Sequence, residues 1–188
     1  MDLTHQFLLA MPGLHESWFD NTLSYIFEHD EQGALGFVIN RPAPLSVGEI
    51  FDQLDITSTN DKTRSDAAFS GGPLEVERGF VLYPSDPSLV FSESTHASDG
   101  GNGISLSGST ELLESIATGK GPGQFLFLLG YAGWGPGQLE SEIAKNAWLT
   151  CDADPDIIFS DGTADKRHLA ARSLGIDVSM LSSQVGRA

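Results

Sequence analysis

Cysteine is almost absent from this chain: Cys151 stands alone among 188 residues. An internal disulfide is therefore impossible and a zinc site built from cysteines is excluded, a pattern that suits a reducing compartment. Positive charge is scarce as well. Ten Lys and Arg face 26 Asp and Glu, a net charge of −16, and Lys166-Arg167 is the only adjacent basic pair. Affinity for nucleic acid rests on cations that neutralise phosphates, so direct nucleic-acid binding is not expected. Long apolar runs are missing too. The first one, Phe7 to Met11, follows no basic segment and is too short for a signal peptide or a membrane span. These scarcities predict a cytoplasmic protein with no membrane partner.

The usual marks of catalysis are also missing. No Gly-x-Ser-x-Gly elbow and no His-Glu-x-x-His occur. His5, His15, His29, His96 and His168 are scattered without metal-ligand spacing. Asp152-Ala-Asp-Pro-Asp156 opens like a calcium loop, but Ile157 and Thr163 stand where such a loop needs Gly and Glu, so it reads as a solvated turn. Glu140 and Glu142, two apart on a predicted helix, point to different faces. Cys151 lies in an apparent strand with no His or Lys beside it, which predicts an inert thiol. No metal and no cofactor are predicted, and enzyme activity is left open.

What is present centres on residues 124–148. Gln124-Phe-Leu-Phe-Leu-Leu129 is a continuous apolar run, the pattern of a strand buried on both faces. Gly130, Gly133, Gly135 and Gly137 then predict a tight, shaped loop. Pro136 suits the first turn of a helix, in which Leu139, Ile143 and Ala147 form the buried stripe. Gln138, Glu142 and Asn146 form a polar row beside that stripe. Strand, glycine loop and helix start is an order that cradles phosphates. The fingerprints are incomplete, however. No Lys-Ser or Lys-Thr follows Gly135, and Gln138 takes the third glycine position of a dinucleotide loop. Two readings stand: a structural turn packed around Trp134, or a loop for an anion or small ligand.

Elsewhere, strands are predicted at Phe7–Met11, Gly33–Asn40, Ala67–Ser70, Arg78–Tyr83, Trp148–Cys151 and Ile157–Phe159. Another is predicted at Ile104–Ser107, alternating with one wet face. Phe19, Leu23, Ile26 and Phe27 follow helical spacing, and Ser46 with Glu49 forms a capping box ahead of a short helix. Ser109 or Thr110 opens a helix ended by Gly119, and a last helix has Leu169, Ala170 and Leu174 inside. Residues 55–66 read as a mobile loop and 84–102 as a long polar excursion. Short strands mixed with helices, without strict alternation or a composition break, predict one α+β domain over residues 1–188.

Several motifs in order resemble the bacterial AlgH/YqgE family. They are Phe-Leu-Leu-Ala-Met-Pro12, Gly-Ala-Leu-Gly-Phe-Val-Ile-Asn-Arg-Pro42, Gly-Gly-Pro73, Arg-Gly-Phe-Val-Leu82, Gly-Tyr-Ala-Gly-Trp134, Gly-Gln-Leu-Glu140, Asn146-Ala-Trp-Leu149 and Leu-Gly-Ile-Asp177. The resemblance implies an α+β domain whose mixed or antiparallel sheet curls towards a barrel, with helices packed around it. One of the family's names comes from regulation of alginate production, and members are often labelled transcriptional regulators. No catalytic residue carries over. Glu16 and His168 depart from the Asp and Trp that the family pattern leads one to expect.

These observations predict a regulatory or interaction protein acting through a protein partner or a small ligand. The alternative is an anion-binding protein or enzyme with its site at the glycine loops. The candidate site residues are Asn40, Arg41, Gly71, Gly72, Arg78, Gly133, Trp134, Gly135, Gly137 and Gln138, all at predicted strand ends or turns. Arg41 either pairs with a carboxylate such as Glu142 or holds an anionic ligand together with the loop amides.

Overall fold

A computed structural model of the chain describes residues 2–89, 91, 94–96, 103–160 and 163–178. In chain order these form β1 (Gln6–Ala10), β2 (Leu23–Asp30), β3 (Gly33–Val38), β4 (Pro42–Ser46), α1 (Val47–Gln53), α2 (Asp61–Ser65), β5 (Ala67–Ser70), β6 (Leu74–Pro84), β7 (Ser94–His96), β8 (Ile104–Ser107), α3 (Thr110–Ala117), β9 (Leu126–Trp134), α4 (Gln138–Ala144), β10 (Trp148–Asp152), α5 (Pro155–Ile158) and α6 (Thr163–Ser173). The fold is the predicted α+β type. One ten-stranded sheet runs β10-β1-β2-β3-β9-β6-β8-β7, with β4 and β5 branching from β9. Among the described residues, only the β5–β9 ladder is parallel. The sheet's end strands, β10 and β7, share no ladder, so the curl does not close into a barrel.

At the centre of the sheet both faces are buried. Alternate residues of β1 and β2 (Phe7, Leu9, Leu23, Tyr25 and Phe27) enter a central cluster that also takes Phe80, Leu82, Leu126 and Leu128. The residues between them, Leu8, Ala10 and Ile26, join Trp134, Leu139 and Trp148 in a second cluster. Val81, Tyr83 and Phe127 meet α1 and α3 in a third. Side chains pointing to opposite faces of a strand produce this division.

The capping box forms as read. The Ser46 hydroxyl accepts from the Glu49 amide at 3.2 Å, and Glu49 Oε2 accepts from the Ser46 amide at 2.7 Å. Several other expectations change. Leu23 to Phe27 is strand, not helix, because burial on both faces makes an apolar run whose spacing fits either element. Ile157–Ile158 is helix, not strand: Asp154 caps it, accepting from the Asp156 amide at 2.9 Å, and Pro155 occupies its first turn. The 55–66 segment contains α2, capped by Asn60. β8 has no wet face, since all four of its residues are buried. In α6 Ala170 is buried but Leu169 is exposed, and Leu174, just past the helix end, is exposed as well. α4 ends at Ala144, so Ala147 lies beyond it. Much of the 84–102 excursion lies outside the described residues.

Among the described residues, no helix is long and apolar enough to cross a membrane. Among the same residues, no three His, Cys, Asp or Glu side chains come together as a metal site.

Candidate functional site

The predicted glycine loop begins later than its sequence implies. β9 continues through Gly130 and Gly133 to Trp134, pairing Gly133 with Leu35 of β3. The candidate residues then fall into separate places. Asn40 and Arg41 hold the loop before β2. Asn40 Oδ1 accepts from the Leu23 amide at 2.8 Å, and its Nδ2 donates to the Asn21 carbonyl at 3.0 Å. Arg41 Nη1 donates to the Trp18 carbonyl and Nη2 to the Asp20 carbonyl, with the guanidinium 4.4 Å from the Trp18 ring. Burial lowers the pKa of Arg41, and the nearby Asp20 opposes that shift. Arg41 is thus clamped by backbone carbonyls, and no ion pair joins it to Glu142. Arg41→Ala is expected to cost about 1–3 kcal/mol in chemical denaturation, the scale of hydrogen bonds to a charged donor. Unchanged stability would free the side chain for a ligand role.

Gly71 and Gly72 lie against β9. The Gly71 amide donates to the Leu129 carbonyl at 2.7 Å, and its carbonyl accepts from Val38 at 2.8 Å, so this residue bridges β9 and the end of β3. Arg78 lies on the exposed half of β6. It pairs with Glu75 at 3.1 Å and sits 4.9 Å from the Phe80 ring.

The third group surrounds Glu142, which the sequence places in a polar row and offers as a partner for Arg41. Its carboxyl oxygens accept from Trp134 Nε1 at 3.0 Å, Trp148 Nε1 at 2.7 Å and Gln138 Nε2 at 2.9 Å. Gln138 Oε1 in turn accepts from the Gly135 amide at 3.1 Å, so that amide is occupied within the chain. Gly137 is the left-handed residue that opens α4. Trp134 stacks on Phe19 at 5.9 Å, and Phe19 meets Trp18 at 5.1 Å. The Arg41 clamp and the Trp134 cap are therefore two ends of one packed strip. Leu139 is fully buried beneath it and Ile143 is partly buried. Cys151 is buried, its thiol pKa raised by that burial.

Of the concave surfaces among the described residues, two bear on function. One is an apolar groove of about 470 Å³ between α1, β6 and α3, lined by Leu45, Ile50, Leu54, Val76, Leu113 and Phe127, with Glu77 its one charged residue. Along it, Glu75 to Arg78 belong to neither the β8 nor the β9 ladder. Leu54, Leu74 and Val76 are 50%, 43% and 58% exposed. No sequence signal marks this groove, because two apolar residues on a polar strand read as ordinary surface. The other is a cleft of about 270 Å³ beside the end of β1, lined by Met11, Pro12, His15, Asp20, Asn21 and Arg167, among others. Its only trace in the sequence is the Lys166-Arg167 pair.

Comparison with known proteins follows the fold. Over 188 residues the chain is 44% identical to a UPF0301 protein of Cupriavidus metallidurans, covering 100% of this chain and 96% of that one. The solution structure of the AlgH protein from Pseudomonas aeruginosa superposes with a TM-score of 0.79 at 42% identity, covering 100% of this chain and 97% of that one. A crystal structure of a Corynebacterium diphtheriae protein shares the fold at a TM-score of 0.71 and 20% identity, covering 90% of this chain and 86% of that one. The AlgH-like family model matches residues 7–179, and the chain belongs to that family.

Proposed function

We propose that this AlgH-like chain is an interaction protein that receives an extended segment of a protein partner in the groove between α1, β6 and α3. The observation that carries this reading is the first half of β6. Between Leu74 and Gly79, which both pair with β9, Glu75 to Arg78 form an exposed, irregular stretch of β6 that β8 does not reach; an added strand would lie along it, and the groove beside it offers seats for apolar side chains. Charge indicates the kind of segment: Glu77 lines the groove and the chain carries −16, so apolar residues interspersed with Lys or Arg fit best. The same acidity argues against direct nucleic-acid binding, so a regulatory role would run through the partner. A cytoplasmic setting belongs to this proposal and rests on the scarcity of cysteine.

Selection of random displayed peptides on the purified protein tests it. Enriched peptides should alternate apolar and basic residues. They should also lose at least about tenfold in affinity for Val76→Asp and Leu54→Asp, which place a charge against the docked apolar side chains. Both positions are exposed, so the variants should remain folded. No enrichment, or peptides indifferent to both substitutions, overturns the proposal. So does a dimer seen in sedimentation and dispersed by Val76→Asp, since the groove would then receive a second copy of this chain.

A further inference from the structure

The cleft beside β1 shares no residue with the groove, and its chemistry is different. Arg167 Nη2 donates to the Ala10 carbonyl at 2.9 Å. Arg167 Nε is buried and has no hydrogen-bond partner among the described residues. No described carboxyl oxygen lies within ion-pairing distance of this guanidinium. Arg167 also lines the cleft, and guanidinium is built to hold oxyanions by paired donors.

Its surroundings concentrate positive charge in an otherwise acidic molecule. Asp20 acts on both Arg41 and Arg167, and its Oδ2 lies 3.1 Å from Nδ1 of the exposed His15. Two guanidiniums around one carboxylate leave a local charge of +1. Arg41 spends its donors on the Trp18 and Asp20 carbonyls, whereas Arg167 lines the open cleft. Asn21 adds a polar amide to the lining. At about 270 Å³ the space suits a ligand of a few heavy atoms.

We infer that this cleft binds a small oxyanion of carboxylate or phosphate type, with Arg167 as its main charge partner. This site lies on α6 and the loop before β2, apart from the glycine loop, whose Gly135 amide is already held by Gln138.

Titration of ¹⁵N-labelled protein with inorganic phosphate and, separately, with succinate at constant ionic strength tests the inference and separates the two chemistries. Saturable shifts of the Met11, Asn21 and Arg167 amides are expected with at least one of the two anions. Arg167→Gln should weaken that binding at least about tenfold, because it removes the charge that a desolvated anion needs. The Ala10 contact makes some loss of stability possible in that variant, so Asn21→Asp provides a second reading. This near-isosteric change on an exposed residue adds a negative charge to the lining, and it should weaken binding while leaving the melting temperature in place. Non-saturating shifts with both anions, or binding by Asn21→Asp equal to that of the natural protein, overturns the inference.

Discussion

Gly72→Ala is expected to remove most or all of the protein's stability. A methyl group at this position would sit 1.9 Å from the carbonyl carbon and oxygen of Tyr131 and 2.3 Å from the Ala132 amide. All three are backbone atoms of the central strand, so no side chain can turn aside. The segment cannot move off either, because Gly71 is tied to Leu129 on one side and Val38 on the other. Across the gap, Gly130 has a φ of +71° and would itself bring a Cβ within 2.8 Å of the Gly72 carbonyl. The two glycines let β9 and the chain leaving β5 pass closer than any other residues would allow. Overpacking a core costs about 1–3 kcal/mol when side chains can adjust. With backbone on both sides the loss should exceed about 4 kcal/mol, a large share of the roughly 5–15 kcal/mol available to a domain. Gly123→Ala is the control: nothing lies within 4 Å of its Cβ position, and it should stay within about 0.5 kcal/mol. Urea unfolding of the two variants decides the matter, and a cooperative Gly72→Ala transition near that of the natural protein would contradict this account.

Glu142→Ala should be the next most damaging change, at about 2–5 kcal/mol. It strips the acceptor from two indole N–H groups, on Trp134 and Trp148, both of them buried. Leaving a buried donor unsatisfied costs about 1–3 kcal/mol, and here there are two. Gln138→Ala removes the third donor but sits in solvent, so it should cost well under half as much. Glu142→Gln retains one oxygen acceptor and should recover part of the loss. Denaturation midpoints with an unchanged slope would report these differences, and tryptophan fluorescence should shift to the red in Glu142→Ala as water reaches the indoles. A loss under about 0.5 kcal/mol would show that the indoles find other acceptors.

Much of the architecture was legible where local rules act alone. Ser46 and Glu49 announced a helix start, and the Leu126–Leu129 run announced a strand buried on both faces. Errors arose where tertiary burial removed the periodicity that separates helix from strand. Leu23 to Phe27 is apolar on both faces because clusters cover both sides of β2, so its spacing matched a helix by accident. Ile157–Ile158 is equally ambiguous until Asp154 and Pro155 are recognised as a start signal. The glycines read equally as a structural turn or as a ligand loop from the sequence; in the fold, Gly71, Gly72 and Gly130 make room for backbone. For Arg41 the sequence suggests a carboxylate or an anionic ligand as partner, whereas the guanidinium is held by a pair of carbonyls in a loop some twenty residues upstream, and carbonyls leave no trace in a sequence. Arg167 escapes notice for the converse reason: that no described carboxyl oxygen comes within ion-pairing distance of it is a property of the fold.

The position of β9 along the chain also bears on how the protein is made. β3, β5 and β6 each take β9 as a ladder partner, and all three emerge from the ribosome before it. β1 waits longer still, for β10. Until Leu126 to Trp134 is synthesised, three strands carry edges that have no mate in the nascent chain. Pairings so distant in sequence form slowly, and unsatisfied edges are what newly made chains aggregate through. The timing of one late segment therefore governs whether the earlier two thirds of the polypeptide become a sheet or a liability to the cell.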